Sequence, residues 1–288
     1  MPVGFSRVCS RPDRVMFWRF SMEADAKQVI EKWYRILRFP PAFDAEFYTA
    51  LDHITVPASV TLDRYDPGSR DGKRNLLTFL YLCEQAYRKA AALNIPESVM
   101  IDTFGDIVIW TENHTVRTGG LYLGELNWLS LHLRLKLFRL GRLQFCMGHA
   151  FRDIPEIGVS EGDPLLEIHI PRGGKLTDVS CRASIDQAKE FFPRFFPDFQ
   201  YKGMTCWSWL LDDTLRNYLP ETSNIIRFGD LFTKVYSIEK NALIKYVFRP
   251  GTTMENLGGA ECVSAFSCRI RNALLSGEQF HETLGILK

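Results

Sequence analysis

The stretch LLEIHIP, RGGKLT, DVSCRASIDQAKEFF, running from Leu165 to Phe192, reads as a strand, a glycine-bearing loop and a helix. The apolar run stops at Pro171, which cannot donate to a central ladder. Gly173 and Gly174 then allow a tight turn and a close approach of backbone to a ligand. Thr177 is placed to cap the helix, whose first turn carries unpaired N–H groups and a partial positive charge. A helix start behind a glycine loop suits an anion such as a phosphate, and Arg172 and Lys175 add charge at the same spot. The plainer reading is a strand-to-helix turn with no ligand.

Working outward, the C-terminal half alternates strands and helices. Strands are expected at Arg142–Met147, Leu165–Ile170, Met204–Leu211 and Phe232–Ser237, and helices at Asp178–Phe192, Asp212–Leu219, Asn241–Phe248 and Glu261–Ser276. The N-terminal half is helical. Val29, Ile30, Trp33, Ile36 and Leu37 form an apolar stripe that Pro40 and Pro41 end, and Phe43–Leu51 reads as a short second helix. Asp66-Pro67-Gly68-Ser69 marks a turn. Leu76, Phe79, Leu80, Cys83 and Tyr87 repeat the stripe in Lys73–Leu93, and Pro96 opens another helix that runs to about Asn113. Leu121–Leu140 satisfies both periods. Its length and the lack of Gly or Pro from Glu125 to Leu140 favour a helix ending near Gly141. The resulting layout is a disordered extension over 1–21, an all-helical domain over 22–120 and an α/β domain over 121–288, with Gly119–Gly120 as the boundary.

Composition narrows the partners. The chain has 288 residues, 46% hydrophobic and 24% charged, with a formal net charge of +1. No overall field points to nucleic acid, and no apolar run reaches the roughly 18 residues of a membrane span. Seven cysteines without a C-x-x-C pair argue for reduced thiols in a cytoplasmic setting rather than a disulfide frame or structural zinc. Arg7, Arg11, Arg14 and Arg19 give the first twenty residues an arginine-rich, acid-poor character without a secretory core, so Met22 is read as opening the folded part.

Several strings in order resemble a bacterial acyltransferase family with a helical N-terminal domain and a GNAT-like C-terminal domain. They are LFRLGRLQF (Leu137–Phe145), IHIP (Ile168–Pro171), FFPRFFPDFQY (Phe191–Tyr201), SWLLD (Ser208–Asp212) and SNIIRF (Ser223–Phe228). The resemblance implies a mixed sheet with flanking helices. It also implies acetyl-CoA or another acyl-CoA as co-substrate, with a small amine as acceptor. Ile168 and Ile170 would offer backbone N–H groups to the thioester, and Arg172, Gly173, Gly174, Lys175 and Thr177 would hold the diphosphate. The usual Arg/Gln-x-x-Gly-x-Gly/Ala spacing of that loop is absent.

Such transfer needs a base for the amine and a proton donor for the departing thiolate. His169 is the leading base, because imidazole titrates near neutrality and the residue lies on the strand that borders the acyl group. Glu167, two residues earlier, shares its face and is the alternative. Tyr218 follows the next strand and stands where such enzymes often place an acid tyrosine. Cys206 reads as a core thiol and Asp212 as a cap. Arg139, Arg142 and Trp209 are the acceptor-binding candidates, although arginines of this kind often pair across an interface and Trp209 also reads as core. His53, His114, His132, His149 and His281 show no paired-histidine spacing, so no metal is expected. The competing reading is a non-catalytic GNAT-like module that binds a ligand or partner. The sequence leaves oligomeric state open.

Overall fold

The computed structural model describes residues 25–54, 60–61 and 70–288. The expected extension over 1–21, the opening at Met22 and the Asp66–Ser69 turn lie outside them. The helical part begins with α1 over 25–36, whose stripe of Ile30, Trp33 and Tyr34 is buried. There follow α2 (Asp44–His53), α3 (Gly72–Ala92), α4 (Glu97–Thr118) and α5 (Leu126–Leu133). Trp33 packs edge-on to Phe104 of α4 at 5.4 Å, which fastens α1 to the later pair. Asp71 caps α3 by accepting from Lys73 and Arg74 N–H. Helix α4 runs past Asn113 to Thr118 and stops at Gly119, whose φ of +76° is the left-handed conformation of a helix end.

The sheet has six strands: β1 (Leu137–Leu140), β2 (Leu143–His149), β3 (Pro164–His169), β4 (Met204–Ser208), β5 (Phe232–Glu239) and β6 (His281–Leu287). Their order is β1-β2-β3-β4-β6-β5, with β3 and β4 parallel and the other neighbours antiparallel. Helix α6 (Asp178–Phe195) is the crossover between the parallel strands, and α7 (Asn224–Gly229), α8 (Ile244–Val247) and α9 (Ala265–Leu275) complete the fold. A helical N-terminal region followed by a mixed sheet with flanking helices is the architecture expected. No helix among the described residues is long and apolar enough to cross a membrane.

Leu121–Leu140 is not one helix. It holds an eight-residue helix and a four-residue strand, and most of the alternating leucines fall within the helix. Helix α5 ends at Leu133, Leu135 takes a φ of +55°, and Leu137–Leu140 pairs with β2 around Gly141 at φ +67°. The strand wins there because Phe138 lies against Phe191 and Phe196 of the α6 region at 4.9 and 5.3 Å. Expected strand Met204–Leu211 is likewise shorter. Ser208 accepts from Leu210 N–H and turns Trp209–Leu211 into a single 3-10 turn. Asp212 caps the next 3-10 turn as read, and its other oxygen accepts from His281 N–H at 2.7 Å. That bond anchors the start of β6, a strand absent from the sequence reading.

Period-two alternation gives the sheet two distinct faces. Phe145, Leu166 and Ile168 point toward α6, whose buried face carries Cys181, Ile185, Ala188 and Phe192. Gln144, Cys146, Glu167 and His169 share the opposite face, because Gln144 pairs with His169 and Cys146 with Glu167 across the ladder. Helices α4 and α5 cover part of this second face.

Candidate active site

Strands β3 and β4 pair only through Leu166–Met204 and Glu167–Thr205. Beyond that point their C-terminal ends no longer bond to each other, and a cavity of about 740 Å3 opens there. Ile168 and His169 of β3 line it with Ile170 and Pro171 just beyond, as do Trp207 and Ser208 of β4 with Trp209 and Leu210 of the following turn. Helix α4 closes another side with Asp106, Trp110 and Asn113, and the segment through and after α8 adds Lys245, Tyr246 and Arg249. The volume lies within the usual range of small-molecule pockets.

His169 lines this opening, and its Nε2 lies 3.4 Å from Oε2 of Glu167, which is not itself part of the lining. The Trp128 indole meets the imidazole edge-on at 4.8 Å. Trp128 is fixed in turn by its Nε1–H, which donates to Asp106 Oδ2 over 3.0 Å. The same oxygen lies 3.1 Å from His132 Nε2, and both side chains of this pair are buried. Burial raises the Asp106 pKa, but hydrogen bonds from His132, Trp128 and Gln144 and the charge of His132 together outweigh it and hold the carboxyl below its ordinary value. Burial, and then the neighbouring Glu167 charge, push the Cys146 thiol up to about 12.

Positive charge gathers at the far side. Arg142 Nη1 donates to the Pro171 carbonyl at 2.9 Å, and its backbone N–H donates to Ser184 Oγ at 2.8 Å. Its Nε is shielded from solvent and has no hydrogen-bond partner among the described residues. Burial lowers the Arg142 pKa, so an anion beside it would offset the cost of holding the charge there. Arg172 donates to Asn113 Oδ1 and so links the loop after β3 to α4. Lys245 lies 3.7 Å from Glu125 and Arg249 2.7 Å from Glu261.

The fold brings together most of the residues singled out from sequence. His169, Ile168, Ile170, Arg172, Arg142 and Trp209 line the cavity, and Glu167 touches His169. Trp209 also stacks on Tyr246 at 6.2 Å. Gly173, Gly174, Lys175 and Thr177 lie outside the lining. The two glycines take φ of +93° and +70°, and Thr177 Oγ1 caps α6 by accepting from Ser180 N–H. A Cβ on Gly174 would lie 3.8 Å from Arg142 Cδ and Nε, so the Arg142 side chain crosses the hollow of this loop. Arg139 turns back on its own hairpin, where Nε donates to the Gly141 carbonyl, and does not line the cavity. Tyr218 packs against Phe280 at 5.7 Å in a separate apolar cluster, also away from the lining. Cys206 is 1% exposed, with its pKa raised by burial, as befits a core thiol.

Asp106, Trp110, Trp128, Gln144 and Tyr246 were not singled out from sequence. One signal was available for Asp106. It is a carboxylate within a helix whose neighbouring Thr103, Phe104 and Ile107 are all on the buried side.

Residues 137–287 match the family model described as the GNAT-like C-terminal domain, and residues 17–135 match the N-acyltransferase N-terminal domain. No curated protein matches the chain. Among solved structures, an acyltransferase in complex with decanoyl-CoA and teicoplanin is similar at a TM-score of 0.71 and 23% identity, covering 90% of this chain and 87% of that one. A mutant acyltransferase in complex with octanoyl-CoA gives 0.71 and 24% over the same shares. A further decanoyl-CoA complex gives 0.65 and 24%, covering 97% of this chain and 80% of that one. At such identities these likenesses establish the fold. The two domain matches together span most of the sequence, and the chain belongs to the acyltransferase family that joins an N-acyltransferase N-terminal domain to a GNAT-like C-terminal domain.

Proposed function

We propose that this protein is an acyl-CoA-dependent N-acyltransferase that uses His169 as general base. The observation that carries the reading is His169, which lies beyond the last β3–β4 pair, lines a cavity large enough for an acyl-CoA arm and an acceptor, and touches the Glu167 carboxylate. The unpaired ends of β3 supply backbone groups for the pantetheine arm and the thioester carbonyl. Arg142 and Arg172 supply charge for the diphosphate. The acceptor amine binds in the same cavity, whose lining includes the Asp106 and Glu282 carboxylates and the faces of Trp110 and Trp207, groups that favour a cation.

In the reaction the amine nitrogen attacks the thioester carbon, the C–S bond breaks, and an amide forms. His169 takes a proton from the amine, and the departing thiolate gains one, so no further reactant is consumed. Ile109, Ile170 and Leu210 give the cavity an apolar wall. That wall supports an acyl chain longer than acetyl, as does the octanoyl-CoA and decanoyl-CoA bound by the similar structures.

A non-catalytic binding module is the second reading, favoured by the unusual loop spacing and by Gly173 and Gly174 lying off the cavity. The two separate in one experiment. Purified protein is melted with CoA, acetyl-CoA, octanoyl-CoA and decanoyl-CoA, and thiol release is then followed with a panel of small amines. The transferase reading expects a stabilised melt, since a ligand of the native state raises its stability, and amine-dependent thiol release. Stabilisation without release supports the binding module, and no stabilisation by any thioester overturns the acyl-CoA site.

A further inference from the structure

We propose that Cys146, Glu167 and His169 form a binding site for Zn2+ and that the bound ion shuts off acyl transfer. One ligand atom from each of the three residues, the thiol sulfur, a carboxylate oxygen and an imidazole nitrogen, lies within 4.8 Å of the other two. The arrangement follows from strand geometry. Cys146 on β2 is the direct cross-strand partner of Glu167 on β3, and His169 is two residues further along the same face. Sequence spacing hides the set, because the ligands come from two strands rather than one helix.

Three features fit a cation. His169 Nε2 lies 3.4 Å from Glu167 Oε2, close to the roughly 3.3 Å edge of a tetrahedron with zinc bonds of about 2.0 Å. That nitrogen is shielded from solvent and makes no hydrogen bond among the described residues, so no hydrogen bond has to be given up for a metal to take it. Gly148 makes the room: a Cβ there would stand 2.3 Å from Glu167 Oε1, so only glycine lets the carboxylate fold back over β2 beside Cys146. Sulfur, imidazole and carboxylate in a three-residue set with one side open suit zinc better than magnesium or calcium, which prefer oxygen alone. Two anionic ligands, thiolate and carboxylate, balance the charge of the ion.

Binding replaces the Cys146 thiol proton, which passes to buffer, and needs no oxidant. The inhibition rests on the transferase reading, since the ion would hold the His169 imidazole that this reading uses as base. The binding itself does not depend on that reading.

The test uses the full chain and Co2+ as a coloured stand-in for Zn2+. The native protein is expected to give a thiolate-to-cobalt absorption band that Zn2+ bleaches, and Zn2+ is expected to raise its melting temperature. Cys146→Ala should lose the band, weaken Zn2+ binding in calorimetry at least tenfold, keep basal thiol release, and need at least tenfold more Zn2+ for half inhibition. His169→Gln should also lose tight binding, which keeps the test valid if Cys146→Ala proves unstable. Absence of the cobalt band, or binding to both variants within twofold of native, would overturn the site. Tight binding in a protein that transfers to no amine leaves the metal site standing and rejects the transferase reading alone.

Discussion

Trp128 Nε1 donates to Asp106 Oδ2 over 3.0 Å, and the same indole stands edge-on to His169 at 4.8 Å. Through this chain of contacts a carboxylate on α4 sets the position of an imidazole on β3. The depressed Asp106 pKa makes the arrangement sensitive to acid. With the folded value below the unfolded value of about 3.9, the contribution is complete above that pH and is lost as pH falls through the folded pKa. Urea denaturation of Asp106→Asn should therefore show a shallower loss of stability below about pH 4 than the native protein shows. Asp106→Ala should cost about 2–3 kcal/mol at neutral pH, because a buried charged acceptor is removed from Trp128 and His132.

His169→Ala should leave acyl-CoA affinity within about twofold and lower kcat by roughly 100-fold or more, the scale of a lost general base. Steady-state thiol release and calorimetry on the same preparation check it. Unchanged kcat would remove His169 from the reaction. Glu167→Gln then shows whether the carboxylate acts with it, since the amide keeps the shape and loses the charge.

Gly174→Asp should weaken acyl-CoA binding at least about tenfold. The new side chain starts 3.8 Å from Arg142 Cδ and Nε, and its carboxylate would occupy the partner that Arg142 Nε otherwise lacks. Gly174→Asn is the control, since both residues accept the φ of +70° comparably and only one adds charge. Equal affinity in the two variants, measured by titration calorimetry, would place the diphosphate elsewhere.

Gly148→Ala addresses the carboxylate alone. The added methyl would stand 2.3 Å from Glu167 Oε1 and 2.5 Å from Cδ, atoms at the free end of a flexible side chain. Glu167 should swing away at a cost of roughly 1 kcal/mol or less, within the range of mild overpacking. Turnover should change more than the melting temperature does, and a crystal structure of the variant would show the displaced carboxylate.

What could be read in advance was local. The strand, loop and helix from Leu165 to Phe192 were legible because Pro171, the two glycines and Thr177 act within a few residues of themselves, and α6 is capped by Thr177 in the structure. Cys206 as a core thiol and Asp212 as a cap came from the same kind of short-range evidence. Leu121–Leu140 shows the limit. Its leucines satisfy both periods, and only Phe138 packing on Phe191 and Phe196 divides helix from strand.

By itself the sequence determined the helical first half, the alternation of the second, and the placement of His169 and Glu167 on one face of one strand, all consequences of side-chain period and backbone preference. Tertiary structure alone decided that β6 inserts between β4 and β5, that Arg139 and Tyr218 fall away from the cavity, and that Asp106, Trp128 and Cys146 gather around His169. Those residues come from separate helices and strands. Their meeting is fixed by sheet register and by which helix covers which face, and neither is encoded within the span of a local motif.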